Sequence, residues 1–212
     1  MNFKHVIWDW NGTLVDDTWL FVDIMNGVLK NRNLPPITLQ DYRDVFDFPV
    51  KDYYTKLGFN FDEEPFESSG LDFIKIYDTR KFEPKLFDDT IPTLMTLKDL
   101  GYTHSILSAQ NLSTLTQSVE YYKLQGMFDS INGLDDHYAI GKIKQGKNLI
   151  QNLDYNLNEL VMIGDTEHDY IVSQAMGIEC FLIDRGHNST VRLRTRQDNV
   201  FSSFDQILTE LS

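Results

Sequence analysis

The chain has almost no cysteine and no long apolar run. A single cysteine, Cys180, among 212 residues excludes an internal disulfide. Its setting, Glu179-Cys180-Phe181-Leu182-Ile183, reads as a small buried hydrophobe. No stretch approaches the roughly 18 apolar residues of a membrane span. The first apolar run, Val6-Ile7-Trp8, is too short for a secretory leader. Positive charge is also scarce: 19 Lys and Arg face 32 Asp and Glu, for a net charge of −13. No Lys/Arg cluster forms a stripe that could track phosphates, so nucleic acid is not an expected partner. Internal repeats and low-complexity tracts are missing too. These absences predict a soluble, cytoplasmic protein with no membrane or nucleic-acid partner, a monomer or weak dimer. What remains is a globular composition, 42% hydrophobic and 24% charged. The length fits one core with a smaller insertion.

Strand and helix signals alternate at both ends of the chain. Val6-Ile7-Trp8 is an apolar run stopped by Asp9 and a Gly12-Thr13 turn, as a buried strand would be. After Pro84 the pattern predicts helix over 90–100, strand over 102–107 and helix over 111–122. A short strand or loop over 127–131 follows, then helix over 143–153 and strand over 160–163. Helix over 167–176, closed by Gly177, strand over 180–183 and helix over 203–211 complete it. Such alternation argues for an α/β fold with a parallel sheet covered on both faces. The block between, residues 16–84, shows helical spacing and no clear strand. Thr38 with Asp41 reads as a capping box, and Pro49 fits a first helical turn. The domain division expected is therefore a core of 1–15 and 85–212 with a helical insert, 16–84. The insert's many aromatics read as its own core. Arg43 or Lys51 could reach a ligand from it. The segment 185–199 reads as a polar loop.

Parallel strands present their carboxyl ends along one edge, so residues far apart in sequence can meet there. Asp9, Ser108 and Asp165 all end predicted strands, and a lysine near 142 precedes a helix. Asp165 and Asp169, four residues apart, fall at a strand end and one helical turn on. A buried carboxylate is costly without a cation. Oxygen ligands with few protein partners suit Mg²⁺, which shares its site with phosphate. A lysine and a serine hydroxyl would complete a phosphate cradle.

In order, these residues are Asp9-Trp10-Asn11-Gly12-Thr13 after an apolar strand, Ile106-Leu107-Ser108, Lys142, and Gly164-Asp165 through Asp169. Over nearly its whole length the chain resembles the haloacid dehalogenase (HAD) superfamily, in its phosphoglycolate-phosphatase-like branch. The resemblance implies a Rossmann-like core with an inserted α-helical cap and hydrolysis of a small phosphorylated metabolite. It makes Asp9 the nucleophile of an aspartyl-phosphate mechanism. Mg²⁺ would be held by Asp9, the backbone carbonyl of Asn11 and Asp165. Lys142 would neutralise the transferring group, Ser108 would hold a phosphoryl oxygen, and Asp169 would orient Lys142 or join the metal shell. Thr13 and Gly12 would shape the loop around the phosphate.

One position departs from the pattern. Asn11 stands where phosphatases of this family carry the aspartate that serves as general acid and base, a role an amide cannot fill. Family branches that cleave carbon–phosphorus or carbon–halogen bonds also lack that acid, though they carry other residues there. Asn11 therefore leaves open a slow phosphatase, compensation by Asp16, Asp17 or Glu167, or a catalytically weak phosphate-binding protein. Lys144 and Lys147 compete with Lys142, and Gly141 to Asn148 nearly matches a phosphate-binding loop whose final hydroxyl is missing.

Overall fold

The computed structural model describes residues 2–135 and 141–211. Six parallel strands form the central sheet. They are β1 (His5–Trp8), β4 (Thr103–Asn111), β5 (Ser130–Leu134), β6 (Leu160–Gly164), β7 (Glu179–Ile183) and β8 (Val200–Phe201), in the order β5-β4-β1-β6-β7-β8. All four β1 residues are buried because strands flank it on both sides. Ile7 pairs with Ser105 of β4 and with Met162 of β6.

Strand alternation splits β1 between two cores. Val6 and Trp8 face one, with Leu94 and Leu97 of α5 (Thr90–Asp99), Leu115 and Val119 of α6 (Leu112–Tyr121), and Phe204 and Ile207 of α10 (Phe204–Leu211). Ile7 faces the other, with Leu149 of α7 (Lys142–Gln151) and Val172 and Met176 of α8 (Glu167–Met176). Each fully buried side chain of this kind stabilises the fold by about 1.5–3 kcal/mol. Trp8 is buried without an unpaired indole, because its Nε1 donates to His104 Nδ1 at 3.1 Å. Helix α8 is bounded as its sequence suggests: Thr166 and Asp169 form a capping box, and Gly177 takes a left-handed φ of 76°.

Between the first strand and the rest of the sheet lie four helices: α1 (Thr18–Lys30), α2 (Leu39–Val45), α3 (Val50–Lys56) and α4 (Phe66–Arg80). They have a hydrophobic cluster of their own, built on Leu20, Ile24, Val28, Tyr42, Tyr53 and Phe66. The Thr38 capping box forms as expected, and Pro49 sits at the N-cap of α3.

Four expectations need correction. A two-residue ribbon closes the base of the helical block, where β2 (Val15–Asp16) pairs antiparallel with β3 (Lys85–Leu86). Two residues are too short for a periodic signal. The short strand or loop expected over 127–131 is a strand that begins later, at Ser130, and β4 runs past Ser108 through a register shift to Asn111. The loop expected over 185–199 contains α9 (Thr190–Arg194), which packs through Leu193. No described helix is long and apolar enough to cross a membrane.

Candidate active site

The carboxyl ends of β1, β4 and β6 are adjacent, so the sheet brings Asp9, Ser108 and Asp165 together. The N-terminus of α7 adds Lys142, and the first turn of α8 adds Asp169. All five are buried, at 7% exposure or less. Ligand atoms of Asp9, Asp165 and Asp169 lie within 4.8 Å of one another. Lys142 Nζ donates to Asp9 Oδ1 and to Asp169 Oδ1, each at 2.5 Å. Lys144 and Lys147 are exposed on the same helix. Of the three lysines, Lys142 is therefore the one at the acidic edge, and the phosphate-loop match is left without a site.

Each carboxylate is fixed by donors that the local chain supplies. Asp169 Oδ2 accepts from the Thr166 backbone N–H and hydroxyl, at 3.0 and 2.6 Å. With Lys142 on its other oxygen, Asp169 is placed to orient the lysine. Asp165 accepts from the Thr13 hydroxyl at 2.7 Å and from the His187 backbone N–H at 2.5 Å. Thr13, expected to help bind the phosphate, donates its hydroxyl to Asp165 and does not line the cavity described below. Gly12 has a φ of +75°, and a Cβ there would come within 2.4 Å of Asp165 Oδ2. Only glycine lets the loop pack so closely on the carboxylate.

Charge in this cluster is unbalanced. Burial raises Asp9 well above the usual carboxylate range despite the opposing charge of Lys142. Burial, with Asp169 nearby, pushes Asp165 up to about 6, although His187 opposes it. Burial would also raise Asp169, but Lys142 outweighs it and holds it low. Burial would lower Lys142, yet Asp169 and Asp9 keep it firmly protonated. Three carboxylates facing one ammonium form a hard, oxygen-rich and anionic donor set. That set fits a divalent cation of the Mg²⁺ type.

Asn11 belongs to a second network. Its Nδ2 donates to Asp17 Oδ2 at 2.5 Å and lies 3.3 Å from the Tyr77 hydroxyl. Asp17, 1% exposed, also accepts from the Gly12 backbone N–H at 3.0 Å and pairs with His187 Nε2 at 3.2 Å. Burial would lower His187, but the hydrogen bond and charge of Asp17 outweigh it and hold the imidazole above its ordinary range. Tyr42 bonds the other ring nitrogen at 2.7 Å. Of the acids considered as compensating for Asn11, Asp17 touches it. Asp16 is exposed, and Glu167 is engaged by Arg192 and Arg196. His187 had no sequence signal beyond following a strand end in the segment read as a loop.

A cavity of about 1170 Å³, counting its open mouth, rises from Asp9, Asn11, Ser108 and Lys142 into the helical block. Its upper wall is aromatic: Phe21, Phe46, Phe48, Tyr53, Phe73 and Tyr77 all line it. The aromatics of the insert are therefore partly core and partly cavity wall. Neither Arg43 nor Lys51 lines it. Arg43 donates to the carbonyls of Gly186 and Arg185, tying α2 to the loop after β7, and Lys51 lies over Phe61.

Comparison with known proteins agrees with this arrangement. The model of the haloacid dehalogenase-like hydrolases matches residues 6–183. Pyrophosphatase PpaX of Bacillus cereus is 23% identical over 185 residues, covering 84% of this chain and 81% of its own. A haloacid dehalogenase-like hydrolase from Streptococcus pneumoniae superposes with a TM-score of 0.85 at 19% identity, over 100% of this chain and 99% of its own. A predicted phosphoglycolate phosphatase from Haemophilus somnus gives 0.73 at 18% identity, over 100% and 99%. Six parallel strands, an acidic edge with a buried lysine and a family match across most of the length lead to one assignment: the chain belongs to the haloacid dehalogenase-like hydrolases.

Proposed function

We propose that this hydrolase is an Mg²⁺-dependent phosphatase of a small phosphorylated metabolite, acting through an aspartyl-phosphate on Asp9. The observation that carries the reading is the position of Lys142. Its ammonium is shared between Asp9 and Asp169 at the cavity floor. A carboxylate oxygen of Asp9 attacks phosphorus, the ester P–O bond breaks, and the leaving oxygen departs as an anion that takes its proton from water. Water then cleaves the acyl phosphate, releasing phosphate and restoring Asp9. Lys142 neutralises developing charge on the phosphoryl oxygens, and the Ser108 hydroxyl donates to one of them. Asp169 holds Lys142, while Thr13 and the His187 backbone hold Asp165. Mg²⁺, carried by Asp9, Asp165 and the Asn11 carbonyl, would supply the remaining positive charge. The helices of residues 16–84 act as a cap that keeps water from the site during transfer and opens for release. The β2–β3 ribbon is its base.

The test is hydrolysis of phenyl phosphate with Mg²⁺, with acid quenching and mass spectrometry to find a phosphoryl group on Asp9. Asp9→Asn is expected to remove both turnover and adduct; retention of either refutes the nucleophile. Asn11 favours a second reading, a phosphate-binding protein with little turnover. An adduct that forms on Asp9 and is not released over many minutes would select that reading.

A further inference from the structure

We infer that the substrate is a small aryl phosphate, a phosphate monoester of an aromatic hydroxyl whose ring packs against the aromatic wall above Asp9. This inference rests on the phosphatase reading and narrows its substrate. Two independent features of the cavity lead to it.

The first is the leaving group. With both protons of Nδ2 directed at Asp17 and Tyr77, the Asn11 side chain has only an acceptor to offer the site. Among the described residues no free acid stands next to the nucleophile to protonate a departing alkoxide: Lys142 is held by Asp9 and Asp169, and His187 by Asp17. An aliphatic alcohol leaves poorly without one. A phenolate leaves as a stabilised anion and needs no proton at the moment of P–O cleavage. Tyr77 can steady it: its hydroxyl oxygen accepts from Asn11 and from Gln110 Nε2 at 2.7 Å, so its own proton is left for an incoming group.

The second is the wall. Phe21, Phe73 and Tyr77 are in mutual contact, with Phe21 centroids 5.4 Å from each of the other two. Phe21 also touches His187 at 4.8 Å, which joins the ring cluster to the phosphoryl site. Phe21, Phe48 and Phe73 line the cavity and are only half-buried, so part of each ring is available to a flat apolar body. Among the described lining residues, Lys142 and His187 are the only cationic groups, and both are already paired at the cavity floor. A second phosphate or a carboxylate on the substrate would be buried against this wall with no partner, at substantial cost. Tyr53 also lines the cavity, and its buried hydroxyl has no hydrogen-bond partner among the described residues. A small turn of that ring would bring the hydroxyl to a polar substituent of the substrate.

Binding and chemistry are tested separately. Affinities of benzylphosphonate, ethylphosphonate and phosphonoacetate, none of them hydrolysable, are measured by calorimetry. Hydrolysis of phenyl, benzyl and ethyl phosphate is measured with Mg²⁺. Benzylphosphonate is expected to bind at least about tenfold tighter than the other two. Phenyl and benzyl phosphate should share a low KM, with kcat for phenyl higher by about 10²-fold or more. Phe73→Leu, which keeps an apolar residue, should raise KM for both ring substrates about threefold to tenfold, and more than it raises KM for ethyl phosphate. The milder Tyr53→Phe checks the wall should Phe73→Leu fold poorly; it should weaken phenyl phosphates bearing a hydroxyl more than it weakens phenyl phosphate. Equal or tighter binding of phosphonoacetate or ethylphosphonate overturns the inference while leaving the phosphatase reading intact. Ring-selective binding with no hydrolysis of any ester overturns the phosphatase reading and, with it, the assignment of an aryl ester as substrate.

Discussion

Replacing Asn11 by aspartate restores the family's usual acid, and a sequence argument alone would expect faster turnover. The structure predicts a more conditional result. Asn11 Nδ2 donates to Asp17 Oδ2 at 2.5 Å, and Asp17 is buried. In Asn11→Asp that donor becomes a second carboxylate. Two unit charges 4 Å apart repel by about 4 kcal/mol at an effective dielectric of 20, and a charge-assisted hydrogen bond of about 1.5–3 kcal/mol is lost. Partial protonation of the pair limits the damage, so a net cost of roughly 2–4 kcal/mol is expected, lowering Tm by about 5–15 °C. The swapped pair, Asn11→Asp with Asp17→Asn, removes the clash. The amide placed at position 17 would accept from the Gly12 N–H through its carbonyl and donate its N–H to the new carboxylate. This double variant should keep parental stability and raise kcat on benzyl phosphate by about 10²–10⁴-fold, with a much smaller gain on phenyl phosphate. Thermal melts and phosphate release on all four members of the cycle measure both quantities. If Asn11→Asp alone is as stable as the parent and as active as the swapped pair, the coupling of Asn11 to Asp17 is refuted.

Other expectations follow from the same groups. Lys142→Met leaves Asp9 and Asp169 buried without their cation. It should abolish turnover and destabilise the metal-free protein by about 3–5 kcal/mol, a fall of roughly 6–20 °C in Tm; a shift under about 2 °C would refute the buried triangle. Mg²⁺ at about 100 times its Kd should stabilise the parent by about 2.7 kcal/mol, and Asp165→Asn should remove most of that shift in thermal melts. His5 and His104, buried around β1, are held down to about 4 by burial, with the charge of His5 adding to the effect on His104. Their folded values lie below the unfolded value near 6.5, so the unfolded chain binds more protons between those limits. Their contribution is whole above that window and is lost as pH falls through it, about 2 kcal/mol for each between roughly pH 7 and 5. Urea unfolding at the two pH values, with His104→Gln as the variant that flattens the slope, checks this.

Much of the fold was legible because parallel strands and their helices leave strong local signals. Leu160 to Gly164 is a bounded apolar run, and Glu167 to Met176 is bounded by a cap and a glycine. Both form as read. The acidic edge was legible for the same reason, since carboxylates that end apolar runs must gather at one edge of a parallel sheet. Choosing Lys142 over Lys144 and Lys147 on spacing also agrees with burial. What the sequence hid depends on contact across the chain. His187 lies in a polar segment with no periodicity, and its role comes from a backbone N–H that reaches Asp165 and a ring that reaches Asp17. The β2–β3 ribbon is held by pairing between residues far apart in the chain and has no local pattern. The insert's aromatics read as core because spacing reports that a residue is buried and not what buries it. Several of them are covered only in part by protein.

Asn11 therefore need not be a simple loss. In the usual arrangement a carboxylate at this position stands beside the nucleophile and exchanges a proton with the leaving group. Here the amide sits at that position, and a carboxylate, Asp17, lies one hydrogen bond behind it, neutralised by His187. On the proposed phosphatase reading this exchange withdraws the acid from the substrate, while Asp17 also accepts from the Gly12 N–H. An acidic side chain beside a cavity lined with Phe21, Phe48 and Phe73 would be poorly solvated, whereas an amide satisfied on its donor side costs less there. The apolar wall and the amide are thus mutually consistent: an aromatic wall whose cations are already paired suits an aromatic leaving group that needs no proton. Enlarging the wall's polarity without restoring the acid, as in Ile74→Lys, should therefore weaken aryl esters and give no compensating gain on phosphoglycolate, because the aliphatic leaving group would still lack its proton. Faster phosphoglycolate turnover in that variant, measured as phosphate release, would break the link between wall and amide.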